Sequence, residues 1–524
     1  MSLNADQDIP QKEKFGSSED GTNTKELEAY RSGGINLKRA MENRHIQLIA
    51  IGGVIGTGLF LRTAQTLATG GPGGLLIGYT AFATVCISVM LSLGELITLL
   101  PVPGGHITLA GRFVDPALSF ALGWNYWYFG GITLPGEIAA GAVVINFWNT
   151  TINSAVWVTI SLVIVIFINF MGPRIYGECE FWFASIKIVT IIGLLILGLV
   201  IDLGGAPDHD RRGFRYWHDP GPFTQFLGID GAKGRFLAFW SSLIQAGYSF
   251  VGTEIVSLAS AETRNPVKNL PAAIRGVWIR IVIFYVLGAF IIGIIVPSNN
   301  PDLVSNTGTA ASSAFVVAIR IAGIKALPSI INACILTSAW SAASSDLYIS
   351  SRALHSLATN GHAPRVFART NKYGTPYMAV GVTSLLGLLA YMAVSAGAST
   401  VFGWFANLTT MCGVINWVVI CITAIRFRKG LAAQGLSVES LPYRTRFQPY
   451  AAYYGLFWSV VIMLFANWQV FLKGQWNKAS FVTNYFGLPF FFVLYLGFKF
   501  IYKTRIVRAH EMDFFTFASQ ALKL

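Results

Sequence analysis

Five long stretches of the chain hold no Asp, Glu, Lys or Arg: 63–94, 138–173, 281–301, 373–425 and 447–472. A helix needs about 20 apolar residues to cross the hydrocarbon of a bilayer. Several of these runs are long enough for one crossing, and 373–425 is long enough for two. Apolar runs bounded by charged, proline-rich or glycine-rich residues predict twelve spans. They fall near 46–66, 73–99, 117–148, 154–171, 178–203, 237–260, 276–296, 327–357, 377–395, 398–425, 450–472 and 480–500. The expected fold class is therefore an all-α polytopic membrane protein. Residues 1–45 are polar and are expected to form a disordered tail. The transmembrane region covers 46–503, with blocks of five spans over 46–203 and 237–425 and two further helices over 450–500. A short tail follows over 504–524.

Composition supports this division. Of 524 residues, 53% are hydrophobic and only 12% are charged, with a mean hydropathy of +0.55. An ordinary globular chain is about a quarter charged, so disordered, coiled-coil and soluble two-domain readings are excluded. The net charge of +13 suggests nucleic acid, but the basic residues lie in loops between spans, so no nucleic-acid partner is expected. Counting residues near span ends with the adjacent loop, twenty-seven of the 38 Lys and Arg fall on the side of the N-terminus, ten on the other, and Lys187 lies deep inside a span. By the positive-inside rule both termini are cytoplasmic. The five cysteines are odd in number, scattered and without metal-ligand spacing, which reads as inert thiols and excludes a disulfide framework. Residues 1–30 contain no apolar signal core, so the first span is expected to act as the insertion signal. The tail carries the acidic serine cluster Ser17-Ser18-Glu19-Asp20 and the amines Lys12, Lys14 and Lys25. Ubiquitin-dependent regulation through the tail is one reading and a plain solvated tail the other. Asn149-Thr150-Thr151 is a formal glycosylation sequon, but it lies very near the membrane.

Two spans contain glycine where a helix should be continuous. The first reads Ile51-Gly52-Gly53-Val54-Ile55-Gly56-Thr57-Gly58, and the sixth reads Gly247-Tyr248-Ser249-Phe250-Val251-Gly252-Thr253-Glu254. Each glycine costs a helix interior ~1 kcal/mol, so an interruption is predicted in both. Non-helical backbone at membrane depth survives only where protein or a water-filled cavity shields it. A mid-span break exposes a half-helix N-terminus that attracts a carboxylate, and the carbonyls at the opposite break attract an ammonium. Together the two suit a zwitterion. Close helix packing through Gly52 and Gly56 is the competing reading. The positions of the breaks, at the head of each block of five, favour a transporter's substrate site.

Charges within the spans need a reason, because one at the bilayer centre costs about 2.5–3.5 kcal/mol. Glu95 ends the second span and suits a structural role. Glu137 lies midway along the third, behind Pro135 and Gly136, and is expected to face the cavity. Lys187, well inside the fifth span, is a candidate proton carrier, as is Glu254 directly after the second break. Asp346, deep in the eighth, has no role that the sequence assigns.

These residues belong to longer motifs: GGVIGTGLF, LPVPGG, RFVDPALSFALGWNYW, HDRRGFRYWHDPGPF, FWFASIKI, FVGTEIVSLASAETRNPVKNLPAAI, SSRALHSLA, IRFRKGLAAQG and LPYRTRFQPY. Over roughly residues 40–505 the chain resembles the fungal amino acid permeases, the yeast amino acid transporter family of the amino acid–polyamine–organocation superfamily. The resemblance implies an inverted 5+5 repeat (LeuT-like) with two extra C-terminal helices. It also implies proton-coupled import of L-amino acids across the plasma membrane, with no cofactor beyond the proton gradient and no enzymatic activity. Carried over, the backbone at Ile55, Gly56, Thr57 and Gly58 would hold the substrate carboxylate. Carbonyls near Ser249, Phe250 and Val251 would hold its ammonium, and Tyr248 would be an aromatic gate. Lys187 matches the family's lysine at the second sodium site of sodium-driven relatives, which implies proton coupling. The C-terminus lacks the Phe-Trp-Cys ending often seen in the family. His106 and the Ser-Ser-Asp of span eight lean toward acidic or broad substrates, whereas Glu137 opposes an acidic side chain. A non-transporting receptor of the same fold and a membrane-embedded enzyme or channel are the alternatives. The short tail disfavours the receptor; the paired breaks, and the lack of a catalytic or metal motif, disfavour the others.

Overall fold

The computed structural model describes residues 55–149, 151–262, 265–304 and 312–516. The tail over 1–45 lies outside them, as do Gly52 and Gly53 of the first break and Thr150 of the sequon.

Among the described residues, helix occupies at least part of each of the twelve predicted positions. The first span appears as a π-helical turn, Gly58–Arg62, running into Thr63–Leu99. That run bends sharply at Gly71, with φ 74° and ψ 176°, ahead of Pro72. Glycine accepts the positive φ, and proline cannot donate the next helical bond, so the elbow ends span one and begins span two. The third span is Pro116–Ile145, capped by Asp115, whose carboxylate accepts from the Ala117 amide at 2.9 Å. Ser154–Phe170 and Pro173–Asp202 are the fourth and fifth. Gly231–Phe250 and, after an interruption, the 3-10 helix Thr253–Glu262 make the sixth. Pro266–Arg280 continues through a π-helical stretch into Leu287–Ile295 as the seventh. Leu327–Thr359 is the eighth. The ninth runs from Tyr377–Gly387 to Ala393–Ala396, and Ala398–Ala433 is the tenth. Tyr450–Leu464 is the eleventh, and Lys478–Tyr485 and Gly487–Tyr502, meeting at 43°, form the twelfth.

Among the described residues, six helices are long and apolar enough to cross a bilayer as single units. The others are shortened by bends or diluted with small polar residues. Span eight, for example, buries Ser338, Ser341, Ser344, Ser345, Ser350 and Ser351. The apolar surface faces outward instead: Val163, Phe167 and Val189, on spans four and five, are 60%, 61% and 71% exposed. Such a surface suits lipid and not water.

Spans one and six, two and seven, three and eight, and four and nine lie side by side. Each pair joins the same position in the two blocks of five, and the third span is buried along almost its whole length. At one end of the bundle Glu95 accepts two bonds from the Arg428 guanidinium, at 2.7 and 2.9 Å, and one from the Thr445 amide at 3.0 Å. There too Lys499 pairs with Asp115, and Phe514 is buried against Phe113 and Phe427. At the other end the long loop before span six is stitched across the elbow between spans one and two. The Gly73 amide donates to Pro222 O at 2.7 Å and Thr224 N donates to Gly70 O at 3.4 Å.

Candidate functional site

Ile55 and Gly56 are non-helical, and the first span's helix starts at Thr57, whose side chain makes no capping bond. The first amides of a helix have no intrahelical partner and carry partial positive charge. In the sixth span the helix ends at Phe250, with its last bond from Val251 N to Gly247 O at 3.0 Å. Val251 is extended (φ −62°, ψ 150°), and Gly252 takes φ 92°, a conformation that glycine adopts without steric cost. One break thus presents a helix N-terminus and the other a helix C-terminus.

The two interruptions touch. A Cβ on Gly58 would sit 3.0 Å from Ser249 Cα and 3.1 Å from Tyr248 Cδ1. Neighbouring spans fix each one: Ser338 Oγ donates to Ile55 O at 3.3 Å, and Tyr79 Oη lies 3.0 Å from Ser249 Oγ. Between them is a cavity of about 60 Å³ whose wall includes Gly56, Gly58, Glu137, Tyr248, Ser249 and Asp346. Glu137 Oε1 accepts from Tyr248 Oη at 2.8 Å, while Oε2 is buried with no partner among the described residues. A Cβ on Gly56 would meet Glu137 Oε1 at 2.9 Å, so only glycine leaves the carboxylate its place. The described wall carries two carboxylates and no cation.

The other residues picked from sequence lie apart from this wall. Phe250 turns its ring away, into Tyr79, Phe82 and Tyr285 at 5.8, 5.4 and 4.9 Å. Glu254 is fully buried and faces the break's own backbone. It accepts from Gly252 N at 3.1 Å and Trp417 Nε1 at 3.0 Å, with Asn416 Nδ2 at 3.5 Å. Lys187 is buried in span five with its Nζ 3.9 Å from Glu180 Oε1, and Ser341 donates to the other Glu180 oxygen at 2.7 Å. Neither Lys187 nor Glu254 lines the cavity.

Sequence reasoning passed over Glu180, although its spacing from Lys187 was a usable signal: seven residues are two helical turns, which puts both on one face. It also passed over a second cavity, of about 610 Å³, on the side of the 204–230 loop. Arg62, Gln65, Gln245 and Asn407 are among its lining residues. The Tyr248 and Phe402 rings meet edge-on at 5.6 Å, and the Arg62 guanidinium is 5.8 Å from each ring centre. Tyr248 lines the smaller cavity and Arg62 the larger, so their contact links the two walls.

The amino acid permease family model matches residues 45–511. The chain is 43% identical over 486 residues to the proline-specific permease of Emericella nidulans, covering 91% of this chain and 88% of that one. It is 41% identical over 487 residues to the dicarboxylic amino acid permease of Saccharomyces cerevisiae (92% and 80%). To the lysine-specific permease of the same yeast it is 40% identical over 473 residues (90% and 77%). A manganese transporter from Eremococcus coleocola, solved with an aromatic bis-isothiourea substituted compound, matches in fold at a TM-score of 0.53 and 12% identity, over 93% of this chain and 96% of that one. The curated relatives are transporters and not enzymes. With two broken helices heading two blocks of five spans, and a match that runs almost from end to end, this membrane protein belongs to the amino acid permease family.

Proposed function

We propose that the chain is a proton-coupled symporter that imports L-amino acids across the plasma membrane by alternating access, with both termini in the cytoplasm. The observation that carries this reading is the meeting of a helix N-terminus and a helix C-terminus across one buried cavity. An α-carboxylate would sit at the amides following Gly56 and Thr57, and an α-ammonium at the carbonyls near Ser249, Phe250 and Val251. Tyr248, which lines the cavity and bonds to Glu137, would be the gate toward the larger chamber. The relatives are named for proline, dicarboxylic amino acids and lysine, so family membership leaves the side chain open. Glu137 and Asp346 on one wall favour neutral and cationic side chains over acidic ones, and we infer a broad range on that side.

Import against a gradient needs a driving force. One net charge moved inward gains ~2.3 kcal/mol per 100 mV of membrane potential. Lys187, beside Glu180, and Glu254, against the sixth-span break, are the groups proposed to change protonation as the broken helices move. Uptake of labelled leucine, arginine and glutamate is the test, in cells lacking their own permeases, in acidic and in neutral medium. Uptake is expected to rise in acid, to collapse with an uncoupler, and to rank glutamate last. No uptake of any of the three, with the protein at the cell surface, would sink the transport reading in favour of a receptor. In the same assay Lys187→Met is expected to abolish the pH dependence while the protein still reaches the surface. Retained pH dependence removes Lys187 from the coupling.

A further inference from the structure

The 610 Å³ vestibule is walled by amides, hydroxyls and apolar groups, with Arg62 the only charged residue among its described lining. Arg62 is 3% exposed. Its guanidinium donates to two neutral amide oxygens, Gln65 Oε1 at 2.5 Å and Asn407 Oδ1 at 2.7 Å, and its Nε has no partner among the described residues. Guanidinium keeps its proton in a protein and offers five donors in a planar fork. Held, among the described residues, against neutral groups alone, it is a desolvated cation without a counter-ion there, an arrangement that is unfavourable unless an anion joins it.

Position says which anion. Arg62 lies one helical turn beyond Gly58, on the half-helix whose N-terminus faces the smaller cavity. It rests against the Tyr248 and Phe402 rings, and the hydroxyl of Tyr248 holds Glu137 on the far side. A carboxylate bound to Arg62 would therefore lie beside the ring whose hydroxyl reaches the inner site, and Gln245, Asn467, Gln469 and Asn484 of the vestibule offer carbonyl oxygens to an ammonium.

We propose that Arg62 heads a capture site for the carboxylate of an incoming amino acid, occupied before Tyr248 swings aside. Bidentate binding to the fork competes with Asn407 and Gln65 and draws the guanidinium off the two rings, so that capture loosens the gate it rests against. The site rests on the transporter reading for the identity of its ligand, and on the vestibule's own geometry for its chemistry.

The purified full-length protein, titrated with isocaproate (a carboxylate without an α-amino group), separates the two. Trp404 lines the vestibule, and the fluorescence difference between wild type and Trp404→Phe reports occupancy. Saturable binding is expected in wild type and in Arg62→Lys, with affinity at least ~10-fold weaker in Arg62→Gln, a loss of about 1.4 kcal/mol. Equal affinity in Arg62→Gln overturns the site. Asn407→Asp places a carboxylate beside the guanidinium and is expected to abolish isocaproate binding; undiminished binding also overturns the site. In cells, Arg62→Gln is expected to raise KM for the best-transported amino acid, with Vmax held within about twofold; a lowered Vmax at unchanged KM makes Arg62 part of the lid only and overturns capture. A wild type that binds isocaproate but transports no amino acid overturns the transporter reading and leaves the site standing.

Discussion

Glu137 gives one carboxylate oxygen to the Tyr248 hydroxyl and leaves the other in the cavity, without a partner among the described residues. A hydrogen bond to a charged group is worth roughly 1.5–3 kcal/mol. Tyr248→Phe is therefore expected to weaken amino acid binding by about 10- to 100-fold, measured by equilibrium binding to purified protein. Unchanged affinity would show that the hydroxyl positions nothing the substrate feels. Gly56→Ala tests the same carboxylate from the other side. The added methyl meets Glu137 Oε1 at 2.9 Å, and overpacking of this kind costs about 1–3 kcal/mol. Uptake should fall at least several-fold while surface abundance is kept; normal uptake would mean that Glu137 moves freely. Gly56 and Glu137 were legible in the sequence because each breaks a rule for a spanning helix. The direction of a side chain was not. Phe250 sits within the sixth-span motif, yet its ring turns into the core, which only the helix's rotation about its axis decides.

At the scale of the element, the sixth-span break has its own fastener. Glu254 is fully buried, four residues past the last helical residue, and holds the Gly252 amide and the Trp417 indole. Glu254→Ala leaves those donors buried and unsatisfied at about 1–3 kcal/mol each, so the melting temperature in detergent should drop, and by less in Glu254→Gln, which keeps an acceptor. Pairing that measurement with the pH dependence of uptake separates the two roles open to Glu254. A fastener lowers stability and leaves pH dependence intact, whereas a proton carrier loses pH dependence in Glu254→Gln. The span positions were readable from apolar runs and their Gly and Pro boundaries, as the elbow at Gly71 and Pro72 illustrates. The π-helical stretches Gly58–Arg62 and Ile281–Val286 were not, because periodicity over so few residues does not distinguish them from α-helix.

In the whole molecule, the end of span two is held to span ten and the loop after it by Glu95. Removing one partner of a buried ion pair costs about 3–5 kcal/mol, so Arg428→Ala should lower thermal stability and surface abundance together, without changing the substrate profile of what remains. An altered profile would place Glu95 in the transport path. The pairing of spans one with six, two with seven, three with eight and four with nine was outside the reach of one sequence, since span-to-span contact leaves no periodic signature along the chain. The contact of Arg62 with the Tyr248 and Phe402 rings was likewise unreadable, because Arg62, Tyr248 and Phe402 come from three distant spans.

The ends of the proposed substrate would be met by main chain, at the start of one half-helix and the finish of another. That divides the site by mutability. Point substitutions replace side chains but do not remove an amide or a carbonyl, except where proline deletes an N–H. A lineage can therefore alter Thr133, Ala342 or Asp346 on the cavity wall and shift from one amino acid to another while it keeps the capacity to hold amino acids as a class. Drift in specificity is cheap in such a scaffold, and loss of the class requires breaking the backbone itself.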